Sequence, residues 1–168
     1  SQRNAVALAR AAEAAGVAMV TVHGRTREQG YGGAAEYQTI AEVKAALSVP
    51  VVANGDITTP EKAKHVLDVT GADGIMIVTP YYNKPTQAGI LTHFRLIADA
   101  TDLPVILYDI PGRTGVAISY DTFHRAAKHP NIVAIKDHDF DGAINQVHAL
   151  WCNQTVSCTF SSCNIVTI

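Results

Sequence analysis

The side chains best placed to do chemistry stand at the ends of two apolar segments. The segment LPVILY (103–108) ends on a tyrosine, and the segment NIVAIK (131–136) ends on a lysine. Continuous runs of Val, Ile and Leu are typical of parallel strands that are buried on both faces, and active sites of such sheets lie at the carboxyl ends of the strands. Partial desolvation of Lys136 there lowers its pKa, so that the neutral amine can attack a carbonyl carbon. A lysine whose charged head simply extends into solvent is an equally weighted alternative.

Length and composition limit the class of protein. The 168 residues are enough for one domain with a substantial core, and 48% hydrophobic with 17% charged residues is typical of an α/β protein. A net charge of −2 argues against a nucleic-acid partner. No apolar run reaches membrane-spanning length and nothing resembles a signal peptide, so we expect a cytoplasmic protein. Because the chain starts at Ser1 directly in a helical pattern, we expect an excised or processed piece.

The cysteines do not predict a metal site. All three lie in the last part of the chain, at Cys152, Cys158 and Cys163, without the paired C-x2-C spacing of zinc ligands. Ordinary thiols are the expectation, and no metal is expected.

Apolar strands alternate with helical patterns along most of the chain. Strands are predicted at 18–23, 49–54, 73–79, 103–108 and 131–136. Helical patterns are predicted at 4–15, 38–47, 59–69, 86–99 and 119–128. The tail allows a helix at 141–151 and a sixth strand at 154–160 or 164–168. This alternation favours right-handed crossovers between parallel strands that neighbour each other in chain order.

The predicted fold class is therefore α/β, a partial or fused TIM barrel of (β/α) units with a parallel sheet of five to six strands. We expect one barrel-like domain over 1–168, although a closed barrel needs eight strands. Since parallel strands end on one side of a sheet, the residues that end them should open toward one face: His23, Asn54, Thr79, Tyr108 and Lys136.

The first part of the chain, about 4–77, carries the segments VHGRTREQGYGGAAEY, PVVANGDI and TGADGIMI. In combination they resemble the last three strands of the tRNA-dihydrouridine synthases, which are FMN-dependent barrels. The resemblance implies that His23 and the backbone around Asn54, Gly55 and Asp56 help to hold FMN and its phosphate. A glycine allows close approach to an anion, and the helix that begins near Thr59 presents free N–H groups. A hydrogen-bonded histidine at a strand end is the alternative for His23.

The middle of the chain, about 71–137, resembles a different family. The segments GADGIMIVTPYYNKPTQAG, LPVILYDIPGRTG and HPNIVAIKD resemble the dihydrodipicolinate synthases and related pyruvate-dependent class I aldolases. The resemblance implies that Lys136 forms a Schiff base with pyruvate, that Tyr108 relays a proton and that Arg113 holds a substrate carboxylate. It also implies that Tyr82 completes a tyrosine pair, reaching across a dimer interface.

Both resemblances are incomplete, which predicts a chimera of two barrel pieces. The catalytic cysteine and the flavin-contacting lysine of the first family belong to strands that precede this sequence. The paired threonines of the second family are missing, and residues 138–168 match neither family. The GADGIMI strand fits both families and is the expected crossover point.

Three functional hypotheses follow. The first is a lyase that condenses pyruvate with an aldehyde, aspartate semialdehyde by family analogy, without a cofactor and with intact or impaired activity. The second is an FMN-binding fragment, and the third is an inert scaffold that oligomerises through open sheet edges. We expect a homo-oligomer, weak or no FMN binding because Pro80 lacks a backbone donor, and imine formation at Lys136 alone. Lys84 is the one rival lysine.

Overall fold

A computed structural model describes residues 4–26, 28–30, 32–137 and 165–167. The predicted helix at 141–151, the predicted strand at 154–160 and the three cysteines lie outside the described residues. The strands are β1 Met19–His23, β2 Val51–Asn54, β3 Gly74–Val78, β4 Val105–Asp109, β5 Ile132–Asp137 and β6 Ile165–Thr167. The helices are α1 Ala5–Ala14, α2 Gln38–Ala46, α3 Pro60–Thr70, α4 Gln87–Ala98, α5 Pro111–Thr114 and α6 Tyr120–Ala126.

The chain divides into two compact units, one of residues 1–76 with 162–168 and one of residues 77–161. The division falls inside β3, within the stretch of sequence that both resemblances share. The two units are described separately below.

In the first unit, β1 pairs in parallel with β2, and β2 pairs in parallel with β3. The strand β6 also pairs in parallel with β1, from Met19 opposite Ile165 to Thr21 opposite Thr167. The predicted sixth strand at 164–168 is therefore confirmed, and it lies on the side of β1 away from β2.

Local sequence explains how the helices of this unit begin and end. The side chain of Thr59 accepts a hydrogen bond from the Lys62 amide at 3.2 Å, Pro60 opens α3, and Gly71 closes it at φ +65°. The α2 helix is tied to the sheet by Asp73, whose carboxylate contacts Lys44 Nζ at 2.7 Å and accepts a hydrogen bond from the Val51 amide at 2.8 Å. The core is formed by fully buried aliphatic side chains, among them Val20, Val22, Ile40, Val43, Val51 and Val66.

In the second unit, β4 pairs in parallel with β5, and α4 packs near α6. Thr86 and Ser119 cap α4 and α6 through their hydroxyl groups, and the apolar face of α4 buries Ile90, Phe94 and Ile97 completely. Both strands continue one residue beyond the predicted ends, so Tyr108 and Lys136 are penultimate residues. The helix α6 is shorter than predicted and leaves Lys128 beyond its end.

The α/β fold class and the parallel relations β1–β2–β3 and β4–β5 that the sequence predicts are confirmed. The short helix α5 lies outside the helical patterns that the sequence predicts.

Candidate active site

The pair of Tyr108 and Lys136 is the centre of the candidate site in the second unit. The two residues lie directly opposite each other on β4 and β5, so their side chains leave the same face of the sheet. Lys136 Nζ lies over the Tyr108 ring, 4.5 Å from its centroid, and both residues are half-buried. The tertiary structure thus brings together the two residues that the sequence singled out at strand ends.

Burial lowers the pKa of the Lys136 ammonium below its ordinary value of 10.5. The ring face favours the charged form of Lys136, because a cation over an aromatic ring is stabilised by about 0.5–1 kcal/mol at a partly exposed site. The lowered pKa means that the neutral amine of Lys136 is more populated than that of a hydrated lysine.

Arg113 lies in α5, directly after β4, and its side chain is exposed. The bend that carries it is held internally by Thr114, whose hydroxyl contacts the carbonyl oxygens of Ile110 at 3.2 Å and Val116 at 2.9 Å. Gly115 ends α5 in the left-handed region at φ +71°. Arg113 is therefore presented to solvent from a fixed backbone.

Tyr82 and Thr79, two other residues that the sequence singles out, differ in how far their side chains are exposed. The side chain of Tyr82 is 91% exposed, so it does not pack against the Tyr108–Lys136 pair of its own chain. Thr79, which follows β3, is completely buried, and its Oγ1 has no hydrogen-bond partner within the described residues. The roles of Tyr82, Tyr108, Arg113 and Lys136 stay predictions.

The predicted FMN-binding residues lie together in the first unit. His23 and Asn54 are opposite each other at the ends of β1 and β2. Gly55 has φ +118°, and a Cβ at this position would lie 3.0 Å from the Ala35 Cβ and 3.4 Å from His23 Cε1. The glycine is required by its own chain, because both the conformation and the close neighbours exclude a side chain.

Asp56 is engaged by its own loop. Its Oδ2 accepts hydrogen bonds from Arg25 and from the Ala35 amide, each at 2.8 Å. Burial raises the pKa of Asp56, but the Ala35 amide and the Arg25 guanidinium together outweigh burial and hold the pKa below its ordinary value of 3.8. Arg25 also donates to the Gly33 carbonyl at 2.7 Å and is 8% exposed.

Two donors beside Asp56 are not available to the phosphate of FMN. A phosphate needs free backbone donors and cations, whereas the Ala35 amide and the Arg25 guanidinium are both committed to the Asp56 carboxylate. Gly55 is closed in by Ala35 instead of facing an open cradle. Arg25 was not singled out from sequence, although its place in the HGRTR segment next to a long polar loop was a usable signal.

No described helix has the length and apolarity needed to cross a membrane. No group of three or more His, Cys, Asp or Glu side chains among the described residues could hold a metal ion.

The strands, helices and strand-end lysine define a TIM-barrel-like (β/α) protein with a candidate amine nucleophile. Residues 1–103 match the family model described as dihydrouridine synthase (Dus), and the chain therefore belongs to the dihydrouridine synthase family. The tRNA-dihydrouridine synthase B of Xanthomonas axonopodis pv. citri is 47% identical over 106 residues, which cover 63% of this chain and 32% of that protein.

The chain is also similar to known dihydrodipicolinate synthases. The 4-hydroxy-tetrahydrodipicolinate synthase of Exiguobacterium sibiricum is 44% identical over 135 residues, 76% of this chain and 46% of that protein. The crystal structure of dihydrodipicolinate synthase from Acinetobacter baumannii, complexed with pyruvate, matches with a TM-score of 0.73 and 36% identity. It is aligned with 90% of this chain, which spans 53% of that structure. The chain thus carries the sequence signals of both families, and it spans about half the length, or less, of these relatives.

Proposed function

We propose that the chain acts as a dihydrodipicolinate-synthase-like class I aldolase, a lyase that condenses pyruvate with an aldehyde through a Schiff base on Lys136. The observation that carries this proposal is the half-buried Lys136 amine over the Tyr108 ring, with its pKa lowered by burial. The likeness to a synthase structure complexed with pyruvate supports the same substrate class.

The proposed reaction begins with attack of the neutral Lys136 amine on the C2 carbonyl carbon of pyruvate. The carbinolamine loses water and becomes a protonated imine. The positive nitrogen of the imine makes the C3 protons more acidic, because it accepts the electrons of a C3–H bond. Loss of a proton from C3 gives an enamine, and its C3 then forms a bond to the carbonyl carbon of the aldehyde. The aldehyde oxygen takes up a proton as the new hydroxyl forms. Water then adds to the iminium carbon, and cleavage of the C–N bond releases the product with a carbonyl group and restores the Lys136 amine.

In the proposal Tyr108 serves these proton transfers, which the contact of its ring with Lys136 Nζ, 4.5 Å from the centroid, supports. The ring face also attracts the cationic imine as it attracts the ammonium, so the contact is retained when the amine reacts. In the proposal Arg113 binds a substrate carboxylate through its guanidinium fork, and the second substrate is aspartate semialdehyde by family analogy.

Assembly is the second part of the proposal. The exposed Tyr82 would complete the site from a neighbouring copy, since 91% exposure leaves its side chain available for contact with another chain. The proposed protein is a homo-oligomer, and its proposed location is the cytoplasm. No cofactor takes part in the lyase reaction.

Borohydride reduction in the presence of pyruvate tests the proposal. We expect one reduced adduct, located by peptide mass mapping at Lys136 and abolished by Lys136→Ala. Lys128→Ala is the matched control, because Lys128 is an exposed lysine of the same unit and should leave trapping intact. Trapping at Lys84, equal trapping in Lys136→Ala, or no adduct at all would contradict the proposal.

The match to the dihydrouridine synthase family supports a second candidate, an FMN-binding fragment. A stoichiometric flavin spectrum of the purified protein would favour this candidate over the lyase. Absence of both flavin and an imine adduct would favour an inert scaffold.

A further inference from the structure

The backbone bend of residues 110–118, here called the Arg113 bend, is fixed from both sides. Asp109, only 5% exposed, accepts a hydrogen bond from the Ile118 amide at 3.2 Å. Gln87, the first residue of α4, donates to the Ala117 carbonyl at 2.8 Å and accepts from the Ser119 amide at 2.9 Å. A fixed bend gives the residues on it defined positions relative to the strand end of β4.

Lys84 lies against this bend. The position of a Cβ on Gly115 is 3.1 Å from Lys84 Cε and 3.8 Å from Lys84 Nζ. Gly115 is two residues after Arg113 and closes α5, so the Lys84 ammonium lies beside the turn that presents the Arg113 guanidinium. Gly115 leaves room for the lysine stem as well as adopting φ +71°.

The backbone of Lys84 is itself unusual, with φ +41°. A residue with a branched or long side chain adopts this region unfavourably, and such residues concentrate where a loop holds a ligand. Lys84 is exposed, and within the described part of the chain no carboxylate pairs with it. The loop therefore holds a cation beside the turn that carries Arg113.

We infer that Lys84 is a specificity-determining residue of the lyase site, where its ammonium and the Arg113 guanidinium bind the carboxylate of the acceptor aldehyde together. The inference rests on the proposed function and adds Lys84 to the residues that bind the substrate carboxylate. Arginine supplies a planar fork for two oxygens, and lysine supplies a mobile point charge. Together, the Lys84 and Arg113 cations select an aldehyde that carries a carboxylate over an uncharged aldehyde of the same size.

Binding of succinate, an unreactive dicarboxylate, tests the inference without any imine chemistry. In an NMR titration we expect Lys84→Met to weaken succinate binding roughly threefold to fivefold, the usual scale for a partly exposed charge contact. The salt dependence of binding should also become shallower. Lys128→Met is the control for loss of one positive charge elsewhere in the unit. Succinamide, which is uncharged, should bind equally weakly to all three proteins.

Two further variants separate charge from structure. Lys84→Arg retains a cation and should restore most of the succinate affinity, whereas a purely structural role of Lys84 would not be rescued by charge. Gly115→Ala should displace the lysine stem and weaken succinate binding in the same direction. Equal succinate binding by wild type and Lys84→Met, or no measurable binding by wild type, would overturn the inference.

A separate measurement distinguishes failure of the inference from failure of the proposed function. Pyruvate trapping at Lys136 in the wild type reports the lyase chemistry alone. If Lys136 is not trapped but succinate binding depends on Lys84, the carboxylate site stands and the aldolase assignment is wrong. If Lys136 is trapped and succinate binding ignores Lys84, only the role of Lys84 is wrong.

Discussion

At the scale of single residues, the proposed imine chemistry depends on the contact between the Lys136 amine and the Tyr108 side chain. The amine and the phenol are on neighbouring strands, and burial shifts the amine toward its neutral form. Both strands and the bend after β4 belong to the second unit, residues 77–161.

Replacing Tyr108 by phenylalanine tests the phenol apart from the ring. The contact of the ring face with Lys136 Nζ is retained in Tyr108→Phe, but the proton carrier is lost. We expect the rate of imine formation with pyruvate to fall by about 10²–10⁴-fold, the usual contribution of a positioned acid or base. Stopped-flow trapping measures the rate, and an unchanged rate would remove Tyr108 from the proton transfers.

The pH dependence of imine formation follows from the lowered pKa of Lys136. The neutral amine is the nucleophile, so the trapping rate should rise with pH and level off above a pKa lower than 10.5. The same shift means that the folded protein binds this proton less tightly than the unfolded chain does. Lys136→Met should therefore be at least as stable as wild type below that pKa, which thermal melting at pH 7 would check. A clear loss of stability would contradict this sign.

In the first unit, Asp56 is the residue whose ionisation matters for stability. Its folded pKa is below 3.8, so its contribution is fully present above the unfolded pKa and is lost as pH falls through the folded pKa. We expect Asp56→Asn to cost about 1 kcal/mol near neutral pH, because the pair with Arg25 is partly exposed. The difference between the two proteins should shrink below pH 4. Urea unfolding at pH 7 and pH 3 measures it, and a constant difference would show that Asp56 acts by packing alone.

At the scale of elements, β6 is the feature that the family resemblances do not explain. It supplies a parallel neighbour to β1 at an edge that would otherwise present unpaired backbone groups. The sequence predicts a sixth strand at either 154–160 or 164–168. No local sequence pattern indicates which strand it would pair with.

Val166→Pro tests this strand, because proline cannot donate a hydrogen bond within a ladder. We expect faster hydrogen exchange of the β1 amides that face β6 and a greater tendency to associate, while α4 and β4 are unchanged. Val166→Ala is the control, since it keeps the backbone donor. Equal exchange of β1 in the two variants would mean that β6 does not protect this edge.

At the scale of the whole molecule, the central fact is that a chain of 168 residues spans about half of the synthase structure that it matches. A closed eight-stranded barrel requires more strands than the six described here. In the proposed assembly, the exposed Tyr82 would lie against another chain.

We expect light scattering to give a mass that is a multiple of the single-chain mass. Tyr82→Ser should shift the equilibrium toward smaller species, because an aromatic side chain that is 91% exposed contributes contact area only to another copy. Leu96→Ser is a suitable control, since Leu96 is also exposed but lies on α4 instead of on the loop before it. A monomeric wild type would contradict the expectation of an oligomer.

The sequence by itself determined the alternation of strands and helices, the two family resemblances and the place of Tyr108 and Lys136 near the carboxyl ends of neighbouring strands. These follow from local periodicity, from capping residues such as Thr59 and from the rule that parallel strands end on one side. The strands β1 and β2 end where predicted, and β3, β4 and β5 end one residue away, because hydrogen-bonded pairing, and not side-chain type, sets where a strand stops.

Only the tertiary structure decided the contacts between residues far apart in the chain. Asp56 is committed to Arg25, Lys84 crosses Gly115, and β6 joins β1 instead of extending from β5. Each of these depends on which surfaces the packing brings together across about 30 residues or more, and no local pattern records that choice. A strained φ at Lys84 belongs to the same class, because its cause is the surrounding loop and not the lysine.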